Sequence, residues 1–330
     1  PMNGTEYEDN LEVIVRDSLG CFTPLSADQI DTVSNASKYS ISENDRDAGS
    51  SSLEDVFGYM AALNKMAVSG NGICADRSGN ASLHDSLIST ADYISHKVNG
   101  ASVRYIEIGP EPYKTELIIK RLIGNGVDLT SYIGLDINPE SEKAMRLALE
   151  PVVGKQRFSY KINDYNELQS SSFGFHDGIT VVTMMGFQEG NELPRKMLRI
   201  LKKLTSKGDL LLSEMQLSSL AGWKPIIDFY SLQPMKQFSQ KICERAQLKP
   251  AGQHRIFLTP IETELGPVMT AATVIPYKLF DHHRYLLTNC CLKYTKDQFR
   301  AARKKENDFQ IVKEFFSGDQ TVAYQLTLRN

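Results

Sequence analysis

The stretch Arg104–Leu122, RYIEIGPEPYKTELIIKRL, decides the fold, because an apolar strand runs through a single glycine into a helix. Gly109 lacks a Cβ, so it permits a sharp turn and lets a ligand approach the backbone. Pro110 and Pro112 each fix φ at about −65° and hold the turn rigid. The N–H groups at the start of the helix, together with Lys114, predict a site for a carboxylate. The alternative is a plain strand-to-helix turn with a solvated lysine.

Strands and helices alternate after residue 100, which predicts a parallel, doubly wound α/β sheet. The candidate strands are VRYIEI, SYIGLDI, RFSYKI, GITVVTMM and GDLLLSEM, separated by helices such as ESEKAMRLAL and LPRKMLRILKKL. A helix opening at Thr295 then precedes the runs FQIVKEFF and TVAYQLTLR, whose short connection SGDQ predicts an antiparallel hairpin. Five parallel strands followed by a helix and a hairpin resemble the Rossmann-like fold of class I S-adenosylmethionine-dependent methyltransferases.

Four regions follow from these patterns. We expect a helical cap with a Ser-rich loop at 1–100, a Rossmann-like core that binds S-adenosylmethionine at 101–217, an inserted α+β substrate lid at 218–287, and completion of the core sheet at 288–330. The cap contains the helical patterns SLEDVFGYMAALNKM and SLHDSLISTADYISHKV. The lid contains one helix, PIIDFYSLQPMKQFSQKICERA, and the β-like runs HRIFLTPI and VMTAATVIPYKLF.

Composition excludes several classes of function. The 330 residues include 37 Lys and Arg and 40 Asp and Glu, which give a net charge of −3. This charge lacks the excess of basic residues that is typical of proteins that bind nucleic acid or an acidic membrane surface. The five cysteines lack metal-ligand spacing, so no metal site is predicted. No apolar run reaches the roughly 18 residues of a membrane span, and the polar first residues do not resemble a secretory signal. We therefore expect a cytosolic protein that binds small molecules.

Two further polar elements follow the second and third strands. Asp136 ends YIGLDI, where a carboxylate can accept both hydroxyls of a ribose; its alternative role is to start the next helix. In KINDYNEL, Asp164 can accept from an adenine amino group while Tyr165 covers the ring face. The alternative there is a turn aspartate followed by a core aromatic residue.

A nicotinamide dinucleotide is the competing cofactor. Its pyrophosphate requires the pattern G-x-G-x-x-G, of which GPEPYK supplies only the first glycine. No Walker A motif is present either. An adenosyl ligand with a carboxylate tail and no pyrophosphate fits better.

From about residue 103 onward, several segments resemble the histidine-specific methyltransferases of ergothioneine biosynthesis and their fungal relatives that act on tryptophan-derived amines. The segments are IEIGPEPYKTELI, YIGLDIN, NDYNEL, VTMMGFQEGN and LLTNCCLKYTKDQF. The resemblance implies S-adenosylmethionine as the cofactor. The residues predicted to bind it are Glu107, Gly109, Lys114, Asp136, Asp164 and Tyr165.

The same resemblance implies a substrate pocket. Asn191 matches an asparagine that binds the amino acid substrate, with the N-cap of the next helix as its alternative role. Tyr230 resembles a substrate-contacting tyrosine, with a place in the core as its alternative. Asn289 and Cys291 stand where the family has a Glu and a Ser that hold the imidazole of histidine. Because neither replaces those hydrogen bonds, the resemblance implies a substrate other than histidine.

Three functions are compatible with these residues. The first is N-methylation of an amino acid or a related small amine, which needs alignment and desolvation but no strong base. The second is O- or C-methylation in a secondary-metabolite pathway, which needs a general base such as His254, His282 or His283. The third is a non-catalytic domain that keeps the fold and binds a partner protein.

Overall fold

The computed structural model describes residues 10–41, 51–74, 82–219, 222–280 and 282–330. Its helices are α1 Leu11–Phe22, α2 Asn35–Tyr39, α3 Ser51–Val68, α4 Leu83–Lys97, α5 Pro112–Gly124, α6 Glu140–Val153, α7 Pro194–Leu204, α8 Lys224–Tyr230, α9 Gln233–Arg245 and α10 Lys296–Lys304. Its strands are β1 Ile30–Thr32, β2 Ser102–Ile108, β3 Asp128–Asp136, β4 Phe158–Ile162, β5 Ile179–Met184, β6 Leu210–Gln216, β7 Arg255–Thr263, β8 Gly266–Leu279, β9 His282–Lys293, β10 Phe309–Phe316 and β11 Val322–Arg329.

Seven strands form the core sheet in the order β10-β11-β6-β5-β2-β3-β4. Strands β2 to β6 run parallel, whereas β11 pairs antiparallel with β6 and β10 pairs antiparallel with β11. The order reverses beside β2, so the carboxyl ends of β2 and β5 flank a crevice of the kind that binds ligands in open α/β sheets. The prediction of a doubly wound sheet completed by an antiparallel hairpin is confirmed.

Helices cover both faces of this sheet, which explains why its central strands are almost continuously apolar. Tyr105 of β2 belongs to a buried cluster with Leu87 of α4 and Ile118 of α5. The next residue, Ile106, points to the opposite face and packs in a cluster with Leu201 of α7. This alternation fixes the register of β2 and leaves the loop after it at the carboxyl edge of the sheet.

A second sheet has the order β1-β9-β8-β7. Strands β7, β8 and β9 are antiparallel, and β1 from the N-terminal region pairs in parallel with β9. The predicted boundary between 287 and 288 falls inside β9, which stays paired with β8 as far as Lys293. Residues 288–293 therefore lie in the second sheet, and the N-terminal region contributes a strand to it as well as helices.

Two segments differ locally from the sequence-based expectation. The single helix predicted in the lid is two helices, because Pro234 stands in the first turn of α9 and cannot donate the N–H that would continue α8. Part of the predicted Ser-rich loop is the short helix α2, while residues 42–50 lie outside the described residues.

Candidate functional site

A cavity of about 910 Å³ opens at the carboxyl edge of the core sheet. Its floor is formed by the residues that follow β2, β3, β4 and β5, and its walls come from α1, α2, α3, the α8–α9 pair and β9. Of the ten residues predicted to bind cofactor or substrate, nine line it: Gly109, Lys114, Asp136, Asp164, Tyr165, Asn191, Tyr230, Asn289 and Cys291.

Glu107 is the predicted residue that the structure does not bring to the cavity. Its carboxyl group accepts hydrogen bonds from Thr115 Oγ1 at 2.6 Å and from the hydroxyl of Tyr132 at 3.2 Å. Burial raises the pKa of Glu107 to about 8. The residue therefore joins β2 to α5 and β3 beneath the cavity, and the geometry gives it no direct contact with a ligand.

The turn at Gly109 has a left-handed backbone, with φ of 59°. Gln188 explains why only glycine fits there. Its Nε2 donates to the carbonyl oxygens of Ile108, Gly109 and Met185 at 2.9, 3.0 and 2.9 Å. A Cβ on Gly109 would lie 2.3 Å from the amide atoms of Gln188. The glycine thus lets one side chain tie the end of β2 to the end of β5.

The N-terminus of α5 is occupied by a side chain of its own loop. The carboxylate of Glu111 accepts from the backbone N–H of Tyr113 at 2.8 Å and from that of Lys114 at 2.5 Å. These are the N–H groups that the sequence predicted for a ligand carboxylate, and in this structure they donate to Glu111. Burial raises the pKa of Glu111 to about 7. The loop therefore presents a carboxyl group to the cavity.

Lys114 lines the cavity, but its charge is already paired. Its Nζ lies 2.7 and 3.0 Å from the two carboxylate oxygens of Glu214, and both side chains are buried. Glu214 also accepts from Gly186 N at 2.8 Å and from the hydroxyl of Tyr324 at 2.5 Å. Lys114 therefore belongs to an ion pair that joins α5, β6 and β11, and its role as the countercharge of a ligand stays a prediction.

Asp136 ends β3 with its carboxyl group at the cavity. One oxygen accepts from Asn138 N at 2.9 Å, and Asn138 in turn accepts from Glu140 N at 3.0 Å. Burial raises the pKa of Asp136 to about 6. Asp136 therefore shapes the turn into α6, as its alternative role required, and it also faces the cavity, where its role toward a ribose stays a prediction.

Asp164 and Tyr165 lie at the cavity beyond β4. One oxygen of Asp164 accepts from the backbone N–H and the side-chain amide of Asn166, each at 2.8 Å. The hydroxyl of Tyr165 donates to Glu192 at 3.3 Å. The pair therefore makes the predicted turn and remains next to Asp136 on the adjoining strand.

The predicted substrate residues line the same cavity together with aromatic rings, and this part of the lining is called the acceptor end. Asn191 is the last residue of a short turn at 188–191, and Leu193 rather than Asn191 is the N-cap of α7. Tyr230 is buried and its ring packs edge-on to Phe229, with ring centroids 5.0 Å apart. The other aromatic residues at this end are Tyr39, Phe187 and Phe238.

The candidate histidine bases do not line this cavity. His254 hydrogen-bonds to Ser239 Oγ at 2.7 Å and to the carbonyl oxygen of Tyr230 at 2.9 Å, so both ring nitrogens have structural partners. His282 and His283 are exposed at the start of β9. In the described ranges, no group of three or more His, Cys, Asp or Glu side chains is placed to hold a metal ion. None of the helices described is both long enough and apolar enough to cross a membrane.

Sequence reasoning missed three residues of the site. Tyr39 lines the cavity from a polar stretch, where a single aromatic residue was the signal that would have found it. Glu111 was visible as a carboxylate in the position of a second glycine, two residues after Gly109. Gln188 carried no signal, because its contacts with the end of β2 depend on strand order.

Comparisons with known proteins leave the function open. No protein-family model matches the chain, and no curated protein matches its sequence. Among solved structures, an S-adenosylmethionine-dependent methyltransferase from Clostridium acetobutylicum aligns with a TM-score of 0.42 and 8% identity, over 74% of this chain and 91% of that one. An S-adenosylmethionine-bound amino pentose methyltransferase from Micromonospora echinaspora aligns with a TM-score of 0.38 and 14% identity, over 76% of this chain and 92% of that one. An O-methyltransferase family protein from Burkholderia thailandensis aligns with a TM-score of 0.42 and 10% identity, over 87% of this chain and 63% of that one. At these values the function has to be inferred from the site itself.

Proposed function

We propose that this protein is an S-adenosylmethionine-dependent methyltransferase that N-methylates an amino acid or a related small amine other than histidine. One observation carries the proposal: the loops after three adjacent parallel strands place Gly109, Asp136 and the Asp164–Tyr165 pair along one cavity, which aromatic rings also line. Pockets of roughly 300–1,000 Å³ hold drug-sized ligands. The cavity, at about 910 Å³, therefore has room for a cofactor and a small acceptor together.

The residues present fit an adenosyl cofactor. Asp136 offers a carboxylate to ribose hydroxyls, and Asp164 with Tyr165 offers an acceptor and a ring face to adenine. Glu111 offers a carboxylate to the amino group of the methionine part. When bound, the cofactor supplies an activated methyl group on a positively charged sulfur. Three carboxyl groups at the edge of the sheet, one of them on the N-terminus of α5, disfavour a pyrophosphate at the same place.

The acceptor end favours a small amine. Helices from the N-terminal region and from the lid line it, which suits a small molecule better than a macromolecule. The side-chain amides of Asn191 and Asn289 can accept from an amine, and aromatic walls exclude water from it. Asn289 and Cys291 lack the carboxylate and the hydroxyl that would hold an imidazole. No histidine from the lid is available in the cavity as a base for an oxygen or carbon acceptor.

Two experiments test this function. Calorimetric titration with S-adenosylhomocysteine should give saturable binding, while NAD⁺ at the same concentration gives none. Binding of NAD⁺ alone would replace the proposed cofactor, and no binding of either at millimolar ligand would favour a non-catalytic domain. Incubation with methyl-labelled S-adenosylmethionine and a metabolite extract, followed by mass spectrometry, should yield a labelled amine. A product labelled on oxygen or carbon would refute N-methylation.

A further inference from the structure

Lys293 is a buried lysine whose role is not explained by the fold. Its side chain is fully buried at the end of β9, directly behind the acceptor end of the cavity. Its Nζ lies 3.4 Å from Cys291 Sγ, and no carboxylate within the described residues forms an ion pair with it. Lys114, the other buried lysine at this cavity, is held by Glu214.

The surroundings of Lys293 are aromatic. Its Nζ lies 4.9 Å from the ring centroid of Phe187 and 5.0 Å from that of Tyr230, two residues that line the cavity. Ring faces attract an ammonium group but do not neutralise it. An isolated ammonium in such a place would cost several kcal/mol. The amine of Lys293 must therefore either be neutral or share a proton with Cys291. Among the described residues, Cys291 is the only side chain that forms a hydrogen bond with it.

Cys291 connects this lysine to the cavity. Its thiol lines the acceptor end, and Gly190 leaves room for it, since a Cβ there would lie 2.6 Å from the sulfur. The sulfur of Cys291 has one contact that suits each of its protonation states. As a thiolate it accepts from Lys293 Nζ at 3.4 Å, and as a thiol it donates to the carbonyl oxygen of Phe187 at 3.5 Å. Burial lowers the pKa of Lys293 and so favours its neutral amine, which can accept a proton.

We propose that Cys291 and Lys293 form a proton-accepting pair for the methyl acceptor, which enters as an aliphatic ammonium. This inference rests on the proposed function. At rest the pair holds one proton between sulfur and nitrogen. It takes a second proton from the bound ammonium, which leaves a thiol, a neutral amine and a lysine ammonium that faces the rings of Phe187 and Tyr230. The positive charge moves from the substrate to Lys293, so the number of charges in the site does not increase. The nitrogen lone pair then forms the new N–CH₃ bond, the S–CH₃ bond breaks, and its electron pair stays on the sulfur of the cofactor.

Other titratable groups surround the pair. They are the phenols of Tyr39, Tyr230 and Tyr294, the thiol of Cys290 and, beyond Phe187, the paired Lys114. Burial raises the pKa of Tyr230 well above its usual range, so this phenol stays protonated beside the pair. Charged groups on the neighbouring elements act on the residues beside the pair: Lys38, Glu12 and Glu192 on Cys290, and Glu189, which is ion-paired with Arg303, on Tyr294. Among the described residues, no carboxylate forms an ion pair with Lys293.

Alkylation of the whole protein with iodoacetamide tests the pair without cofactor or substrate. The modified cysteines are identified by peptide mass spectrometry across a series of pH values. Cys290 is an internal control, because it lies beside Cys291 on β9 but packs in a different buried cluster. Cys291 should be alkylated at neutral pH, and Cys290 should not. A Cys291 that is alkylated no faster than Cys290 at neutral pH, or that is never alkylated, would overturn the proposal.

Two variants distinguish the effect of Lys293 on the reactivity of Cys291 from a general change in the structure of the cavity. Lys293→Met should raise the midpoint of Cys291 by one pH unit or more and slow its alkylation about tenfold at neutral pH. Lys196→Met is the matched control, since Lys196 also lines the cavity but is ion-paired with Glu192 at 2.8 Å. Lys293→Gln provides a second variant if the methionine side chain perturbs folding. An unchanged midpoint in a folded Lys293 variant would refute the pair, whereas loss of S-adenosylhomocysteine binding alone would refute only the proposed function.

Discussion

Replacing Asp136 with Asn should weaken cofactor binding and, at the same time, stabilise the protein without ligand. The substitution keeps an oxygen that can accept from Asn138 N, so the turn into α6 is preserved. It removes the charge from two expected hydrogen bonds to ribose. Hydrogen bonds to charged groups contribute about 1.5–3 kcal/mol each. An amide that still accepts one of them should lose about 2–3 kcal/mol in total, which corresponds to roughly 30- to 150-fold weaker binding.

The gain in stability follows from the raised pKa of Asp136, which burial brings to about 6. A carboxyl group with a higher pKa in the folded chain than in the unfolded chain makes the folded state bind more protons. The loss of stability caused by ionising the buried carboxyl group is therefore absent below about pH 4. It grows as the pH rises and is complete above about pH 6. A shift of about two units corresponds to about 3 kcal/mol, and water in the cavity reduces this to about 1–2 kcal/mol.

Calorimetric titration with S-adenosylhomocysteine and urea unfolding at pH 7.5 and pH 4.5 measure both effects. Asp128→Asn is the matched control, because Asp128 is exposed at the other end of the same strand, β3. The control should change neither affinity nor stability by more than about 0.5 kcal/mol. An Asp136→Asn variant that binds as tightly as the original chain would refute the ribose role. A variant less stable than the original at pH 7.5 would refute the reasoning about its pKa.

Three further predictions concern the loop after β2. Glu214→Gln should lower the free energy of unfolding by about 3–5 kcal/mol, because it leaves the buried ammonium of Lys114 without its countercharge; a change below about 1 kcal/mol in urea unfolding would contradict this. Gly109→Ala should cost at least about 1 kcal/mol and reduce S-adenosylhomocysteine affinity, because its Cβ would displace Gln188 at a φ of 59°; unchanged titration and unfolding curves would count against it. Burial raises the pKa of Glu111 to about 7, so ionisation of this carboxyl group should lower the free energy of unfolding as the pH rises from about 4 to about 7. Glu111→Gln should remove this part of the pH dependence in urea unfolding, and parallel pH profiles for the two proteins would exclude it.

The fold was predictable because its strands carry strong local signals. Apolar runs such as Val103–Ile108, separated by helical patterns, predict a parallel sheet, and the short SGDQ connection predicts the terminal hairpin. The path of β9 was not predictable, because pairing with β1 from the other end of the chain leaves no local pattern. The break between α8 and α9 was visible in Pro234, although the apolar spacing on either side favours one continuous helix.

At the site, residue types were predictable and partnerships were not. Asp136 and Asp164 follow strands directly, so topology alone brings them to one edge. Lys114 was expected to bind a ligand, but Glu214, 100 positions later, pairs with it in the folded chain. Glu111 was visible in the loop, yet the sequence does not show that its carboxylate turns back onto the N–H groups of its own helix. Such partnerships depend on three-dimensional distances between atoms, which residue spacing does not encode.

The pairing of β1 with β9 has a practical consequence for any shortened form of the protein. A fragment that starts at residue 100 would keep all seven strands of the core sheet, yet it would remove Ile30–Thr32 from the backbone of Tyr285–Leu287. It would also remove Asp31, whose carboxylate holds the guanidinium of Arg284 at 2.7 Å. The bare edge of β9 would then be open to a strand from another molecule, and the fragment should aggregate on expression although its cofactor half is complete.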